Sequence, residues 1–214
     1  MVAPFNMLYD VFVSGVIMIY LIRHGQTSWN QEKRLQGHID IPLNEIGRNE
    51  ANICKEKVRT LKIDRIVASD LLRAKETACI INEAFSCPIS FDSRLKELNM
   101  GDLQGRMKKD ISDELWNILN HEPYKLNAES LADFYKRIKS FFDEIDVNEN
   151  VLVVAHGGII RMVVYLANNP NLFDMKEFEK NYLDIEIKNI EIFEWDKIHP
   201  LKLLCENALK SDKD

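Results

Sequence analysis

An unbroken apolar run, Val16-Ile17-Met18-Ile19-Tyr20-Leu21-Ile22, stops at Arg23-His24-Gly25. A strand with one face in water alternates apolar and polar residues. This run does not, so it reads as a strand buried on both faces in a parallel sheet. Val151-Leu152-Val153-Val154-Ala155 has the same character and is followed at once by His156-Gly157-Gly158. A shorter stretch, Asp64-Arg65-Ile66-Val67-Ala68, leads into Ser69-Asp70-Leu71-Leu72-Arg73. Helical patterns alternate with these strands. The predicted fold is α/β, a three-layer α/β/α arrangement around a mainly parallel sheet.

The intervening segments carry start and stop signals. Asn44, after the turn at Pro42, caps a helix predicted to run to about Leu61. Ser69 or Asp70 caps a second helix to about Phe85, Pro88 closes the next turn, and residues 89–91 form a short strand. Residues 111–119 and 129–145 read as helices. In the latter, Leu131, Phe134, Ile138, Phe141 and Phe142 share one face. Residues 184–195 read as a terminal β pair with a turn near Lys188-Asn189.

Strands that are parallel end on one edge of the sheet, where open α/β folds bind ligands. Three such ends deliver His24, His156, Arg23 and Arg73 to that edge. Collecting cationic and titratable groups in one place is unfavourable unless an anion joins them. A phosphoryl group carries about two negative charges near neutrality and is the natural candidate. Arginine can clamp its oxygens in a bidentate fork, and a neutral imidazole nitrogen can attack phosphorus.

Composition narrows the partners. The 214 residues carry a formal net charge of −6 and no long basic run, which argues against nucleic acid as a partner. The apolar run ends at Arg23, short of the ~18 residues a membrane span requires, and no basic region precedes it. The expected organisation is an N-terminal extension over residues 1–17, outside the fold, and a single domain over 18–214. Cys54, Cys79, Cys87 and Cys205 lie far apart with no C-x-x-C pair, the usage of reduced thiols in a cytoplasmic protein.

Five stretches, in order, carry a resemblance: RHGQTSWN (23–30), RLQGHIDIPLNEIG (34–47), SDLLRAKETA (69–78), LKELNMGDLQG (95–105) and VVAHGGIIR (153–161). Together they resemble the histidine phosphatase superfamily, in its phosphoglycerate-mutase-like branch of mutases, broad-specificity phosphatases and α-ribazole phosphatases. The resemblance spans about residues 18–195 and implies a phosphoglycerate-mutase-like fold. It implies that His24 is the nucleophile that becomes phosphohistidine, and that Arg23, Arg73 and His156 clamp the phosphate. Asn30, Gln36, Gly37 and the backbone at Gly157 would bind the transferred phosphoryl group. Glu97 would donate a proton to the leaving oxygen, a task served by a partly apolar pocket. No metal and no cofactor are implied, because arginines supply the charge stabilisation. The partner would be a small-molecule phosphate monoester, with neither nucleic acid nor membrane involved; a homodimer is compatible with these features.

Plainer readings stand beside these. Lys96-Glu97 also reads as a solvated pair, and Asn30 and Gln36 as turn residues. Trp29, Trp116 and Trp195 read as packing groups. Arg106, Lys108 and Lys109 read as solvated loop charges that could also meet a second acidic group on a substrate.

Within the resemblance the reaction divides. Mutases of the branch carry a long insertion after the LQG element, with paired arginines and prolines. Here 23 residues separate Gly105 from Glu129, with no Arg-Arg pair and only Pro123. Residues 127–138 (NAESLADFYKRI) resemble the phosphatases' GES segment, with Ala128 in place of glycine, whereas Gln104 resembles the mutase version. The expectation is a phosphomonoester hydrolase, acting on α-ribazole 5′-phosphate or a broad set of esters. A cofactor-dependent phosphoglycerate mutase and a catalytically silent phospho-ligand binding domain are the alternatives. Residues 106–127 are expected to roof the pocket, with Trp116, Leu119, Tyr124 and Leu126 as apolar contacts for a nucleoside-like substrate.

Overall fold

The computed structural model describes residues 17–145, 148–168, 186–195 and 202–205. The expected N-terminal extension lies outside the described residues, apart from Ile17, as do Val16 at the head of the apolar run and Asp184 and Ile185 of the expected terminal pair.

The chain builds β1 (Ile19–Arg23), α1 (Ser28–Gln31), α2 (Glu45–Val58), β2 (Arg65–Ser69), α3 (Leu72–Asn82) and β3 (Ile89–Asp92). It continues through α4 (Asp113–His121), α5 (Leu131–Asp143), β4 (Val151–Ala155), α6 (Gly157–Asn168), β5 (Ile192–Trp195) and β6 (Lys202–Cys205). One six-stranded sheet has the order β3-β2-β4-β1-β5-β6. The pairs β3–β2, β2–β4 and β4–β1 are parallel, while β5 runs antiparallel to β1 and β6 antiparallel to β5. Arg23 stands opposite Ala155 in the ladder, so β1 and β4 end at the same level.

The unbroken apolar strands follow from two covered faces. Ile19, Leu21, Val67, Val151 and Val153 join Phe134, Ile138, Phe141 and Phe142 of α5 and Ile159, Ile160, Met162 and Val163 of α6 in one core. The alternate residues Tyr20, Ile22, Ile66, Ala68, Leu152 and Val154 pack on Ala51, Cys54 and Val58 of α2 and Ala74, Ala78 and Ile81 of α3 in the other. Successive residues point to opposite faces, so both must be apolar when helices cover both. Among the described residues no helix is long and apolar enough to cross a membrane.

Several boundaries differ from the sequence expectation, each for a local reason. Helix α3 begins after Leu71, not after Ser69 or Asp70, and Leu71 has no side-chain cap. Ser69 still belongs to β2, and the exposed N–H of Leu72 is satisfied from elsewhere, by Asp40 Oδ1 at 2.6 Å. The helix stops at Asn82, short of Phe85, because the Asn82 amide turns to bond the backbone of Cys87 in both directions. Helix α2 ends at Val58 rather than Leu61, although Asn44 caps it as expected through the Gly47 N–H. Helices α4 and α5 each start after a serine cap, Ser112 and Ser130. The terminal β pair is β5 with β6, and residues 186–188 are not strand. The turn that follows them is used instead by the end of β1: Ile190 N–H donates to Arg23 O at 3.0 Å.

Gly25, just past β1, and Gly47, in α2, meet backbone to backbone. A Cβ on Gly47 would lie 2.1 Å from the Gln26 carbonyl oxygen, and one on Gly25 would lie 2.5 Å from Gly47 O. Both of these oxygens belong to the backbone and cannot rotate away. Gly47→Ala is therefore expected to destabilise the protein by ~1–3 kcal/mol, as overpacking does. Denaturant unfolding measures this; an unchanged midpoint would show that α2 can retreat from the loop freely.

Candidate active site

Arg23 closes β1, His24 follows it, His156 follows β4, and Arg73 is the second residue of α3. The sheet topology brings all four to one edge, as the alternation of strands and helices predicts. The imidazoles of His24 and His156 lie edge to face with centroids 5.2 Å apart. A cleft at this edge is lined by Arg23, His24, Asn30, Gln36, Gly37, Arg73, Glu97 and Gly157, each expected there from sequence. His156 lies behind this lining and is fully buried; His24 and Arg73 are nearly so.

The hydrogen bonds define which atoms are available. His24 Nδ1 lies 2.7 Å from the Gly25 carbonyl oxygen, which can only accept. Nδ1 therefore carries the proton, and Nε2 keeps its lone pair. Burial lowers the His24 pKa well below the ordinary value, and the charges of Arg73 and Arg23 lower it further. His156 is pushed well down by the same burial, then by Arg73, His24 and Arg23. Both imidazoles are neutral at physiological pH. His156 Nε2 lies 2.8 Å from Ser69 Oγ, while its buried Nδ1 has no hydrogen-bond partner.

The two arginines are held by carbonyls. Arg23 Nη1 donates to Ile187 O. Arg73 donates to Ile39 O at 2.9 Å and to Gly37 O at 2.8 Å. Gly37 adopts φ +51°, and a Cβ there would strike the Gln104 side chain, so the turn that offers this carbonyl requires glycine. Burial lowers each guanidinium to a pKa of about 10, with Glu97 opposing the shift. Both stay charged near neutrality. The buried Nε atoms of Arg23 and Arg73 have no partner, nor has the buried Oε1 of Gln36.

Asn30 serves as a turn residue and lines the cleft as well. Its Oδ1 accepts from Thr27 N–H at 3.1 Å in a capping box, which leaves the amide nitrogen as its donor group. Glu97 is not one half of a solvated pair, since Lys96 turns away to Asp70 at 3.2 Å. Its oxygens accept from Leu98 N–H at 2.8 Å and from Gly158 N–H, at the start of α6, at 3.0 Å. The partly apolar setting expected for it reduces to Leu35 and Met100; the rest of the lining is polar.

One expectation needs correction. The segment 106–127 does not supply apolar contacts to the cleft. Leu119 and Leu126 bury themselves with Leu35, Leu103 and Ile111 in a third cluster, Trp116 packs on it, and Tyr124 is 70% exposed. With that roof turned inward, the case for a nucleoside-like substrate loses its basis. Lys108, read as a solvated loop charge that could also meet a substrate group, is exposed and lines the cleft. Partial desolvation lowers its ammonium pKa, and the charges of Arg161 and Arg23 lower it further.

Sequence reasoning also missed Arg34 and Arg161 in the lining. The signal for Arg161 was available. It stands four residues after Gly157 at the start of a helix, one turn along the same face. The missed support around the nucleophile carried no such signal: Asn189 Nδ2 donates to His24 O at 2.7 Å, and Thr77 Oγ1 accepts from Gly25 N–H at 3.1 Å. Both come from distant parts of the chain.

The chain is similar to known proteins in sequence and in fold. The family model described as the histidine phosphatase superfamily (branch 1) matches residues 19–197. A probable phosphoglycerate mutase GpmB of Salmonella paratyphi A is 38% identical over 151 residues, covering 66% of this chain and 70% of that protein. The counterpart of Salmonella choleraesuis is 46% identical over 99 residues, so that match spans about half of either chain (46% of each). Among solved structures, TTHB049 from Thermus thermophilus superposes with a TM-score of 0.68 at 26% identity, covering 87% of this chain and 98% of that one. A structure named Mycobacterial hydrolase 1 superposes with a TM-score of 0.69 at 25% identity, over 89% and 98%.

Neutral buried histidines make stability pH-dependent. Their folded-state pKa lies below that of the unfolded chain, so the unfolded state binds more protons between the two values. Stability is thus fully present above about pH 6.5 and falls as pH drops below it, by up to ~1.4 kcal/mol per pH unit for each histidine. Comparing unfolding midpoints of the parent and His156→Gln between pH 5 and 8 checks this; the variant's slope should be shallower.

Proposed function

The chain belongs to branch 1 of the histidine phosphatase superfamily, and from that premise we propose that it hydrolyses small-molecule phosphate monoesters through a covalent phosphohistidine on His24. The observation that carries the reading is a neutral imidazole, its proton committed to a carbonyl, placed beside the buried guanidinium of Arg73 and the half-buried one of Arg23.

In the first half-reaction, phosphoryl oxygens engage Arg23, Arg73 and the Asn30 amide. His24 Nε2 attacks phosphorus, the ester P–O bond breaks, and Glu97 gives its proton to the departing alkoxide. In the second, Glu97 takes a proton from water as the water oxygen attacks phosphorus. The N–P bond breaks, its electron pair returns to Nε2, and inorganic phosphate leaves. Two in-line displacements give overall retention at phosphorus. Ser69 Oγ accepts from Leu71 N–H at 3.3 Å and lies 2.8 Å from His156 Nε2. We assign the Ser69 hydrogen to His156 Nε2, which puts the imidazole proton on Nδ1, the buried atom without a protein partner, behind the cleft lining.

A second reading, phosphoglycerate mutase, is favoured by a specific observation. Lys108 and Arg161 put positive charge in the cleft beyond the phosphoryl clamp, as a second acidic group on the substrate would use. The Salmonella relatives bear the name of a probable phosphoglycerate mutase. Supporting hydrolysis are the short segment between Gly105 and Glu129 and the inward-turned roof, which among the described residues leave little to exclude water from a phosphoenzyme. The mycobacterial neighbour bears the name of a hydrolase.

Phosphate release from a panel of monoesters, set against 2,3-bisphosphoglycerate-stimulated conversion of 3- to 2-phosphoglycerate, separates the two. For either, acid-labile, alkali-stable phosphate is expected on the quenched protein. His24→Ala is expected to remove that label and at least ~10³-fold of the turnover. Label that survives in His24→Ala would refute the nucleophile. Absence of both activities in the parent would favour a silent binding domain.

A further inference from the structure

Outside the cleft, one arginine spends every donor it has. Arg137, on α5, forks onto Glu129, with Nε to Oε1 at 2.6 Å and Nη2 to Oε2 at 2.9 Å. Nη1 donates to the carbonyls of Arg94 at 2.6 Å and Lys96 at 2.7 Å. The remaining Nη2 hydrogen reaches Glu97 O at 2.9 Å. A guanidinium has five N–H groups, and all five are engaged. The pair is largely buried, with side chains 19% and 15% exposed.

What Arg137 grips is a segment with no ladder to hold it. After β3 the chain makes a single 3₁₀ turn, Ser93–Leu95, and then runs without regular structure through Glu97. Its carbonyls would otherwise need water. Glu129 is itself fixed to this segment, since its N–H donates to Asn99 O at 2.9 Å and its Oε2 accepts from Asn99 N–H at 3.2 Å. From the other side, His38 Nε2 donates to the same Glu97 oxygen at 2.7 Å. Both lone pairs of the Glu97 carbonyl are thus occupied, and its backbone cannot move without breaking one of the bonds.

We propose that Arg137, aligned by Glu129 and seconded by His38, is a positioning residue that sets the Glu97 carboxyl against the leaving oxygen of the substrate. This rests on the reading of Glu97 as proton donor. Arg137 is not part of the cleft lining and touches no reacting atom. Its action is to hold a carboxyl within hydrogen-bond reach, where proton transfer is efficient and a displacement of about 1 Å can cost ~10²-fold. Lysine cannot replace it, having one point charge where five directed donors are used.

Leaving-group dependence separates positioning from mere support of the fold. p-Nitrophenolate is a stable anion and departs without a proton, whereas the alkoxide from β-glycerol phosphate needs one. Arg137→Lys is expected to lower kcat/KM, which reports transfer to His24 and not the shared hydrolysis of the phosphoenzyme, by ~10–100-fold for β-glycerol phosphate and by less than ~3-fold for p-nitrophenyl phosphate, with Glu129→Gln showing a smaller split of the same sign. Glu97→Gln, measured in parallel, should show the largest split. Equal losses of kcat/KM on both esters, or no loss, would overturn the proposal. So would loss of cooperative thermal unfolding in both Arg137→Lys and Glu129→Gln, since the clamp would then be a folding element. A split at Glu97 with none at Arg137 sinks the clamp alone. No split at Glu97 in an otherwise active enzyme removes the donor role, and the clamp's purpose with it.

Discussion

Two guanidinium groups, Arg73 buried and Arg23 half-buried, beside two imidazoles are the constraint around which this fold is arranged. Desolvating a cation is costly, and the usual remedy is a carboxylate partner. Arg94 and Arg137 take that remedy, with Asp92 and Glu129 respectively. Among the described residues, Arg23 and Arg73 have backbone carbonyls as their hydrogen-bond acceptors. Carbonyl dipoles engage their Nη donors without neutralising the charge. The positive field therefore stays available to an anion in the cleft, in a protein whose overall charge is −6. The same field, with burial, holds both histidines neutral, so one arrangement supplies a charge-stabilising clamp and an unprotonated nitrogen together.

Those carbonyls come from loops that the sheet itself does not order. Ile187 and Asn189 reach the end of β1 from the stretch before β5, and residues 37–39 reach Arg73 from the stretch before α2. The loops are in turn pinned by close approach, as at Gly25 against Gly47 and Gly37 against Gln104. Burying the site's charges thus depends on glycines whose only contribution is the absence of a Cβ.

The sheet and its carboxyl edge were legible in the sequence because both rest on local pattern. An apolar run without alternation implies a strand covered on both faces, and parallel strands put their next residues on one edge. His24, His156, Arg23 and Arg73 follow from that without further information. Boundaries set by tertiary partners were not legible. The N–H at the start of α3 is satisfied by Asp40, some thirty residues upstream. The roof failed for a related reason: Leu119 and Leu126 are as apolar as a substrate wall would be, and only their packing on Leu35, Leu103 and Ile111 shows that they face a core of their own. Lys108 was undecided because a lone lysine in a loop carries no periodicity.

Phosphoryl transfer to a histidine requires two distances to be right at once, one from nitrogen to phosphorus and one from the acid to the leaving oxygen. Here a single short loop links them. Arg73 grips the carbonyls of Gly37 and Ile39, while the residue between them, His38, grips the Glu97 carbonyl. The Gln104 side chain accepts from His38 N–H at 2.5 Å and fixes that loop from a third direction. Moving the clamp arginine therefore drags the backbone of the acid with it. Held on separate supports, the two halves of the site could drift apart; joined through residues 37–39, they shift together and keep their spacing. A sheet edge supplies the nucleophile and the charge, but the relative placement of charge and proton is set by this loop.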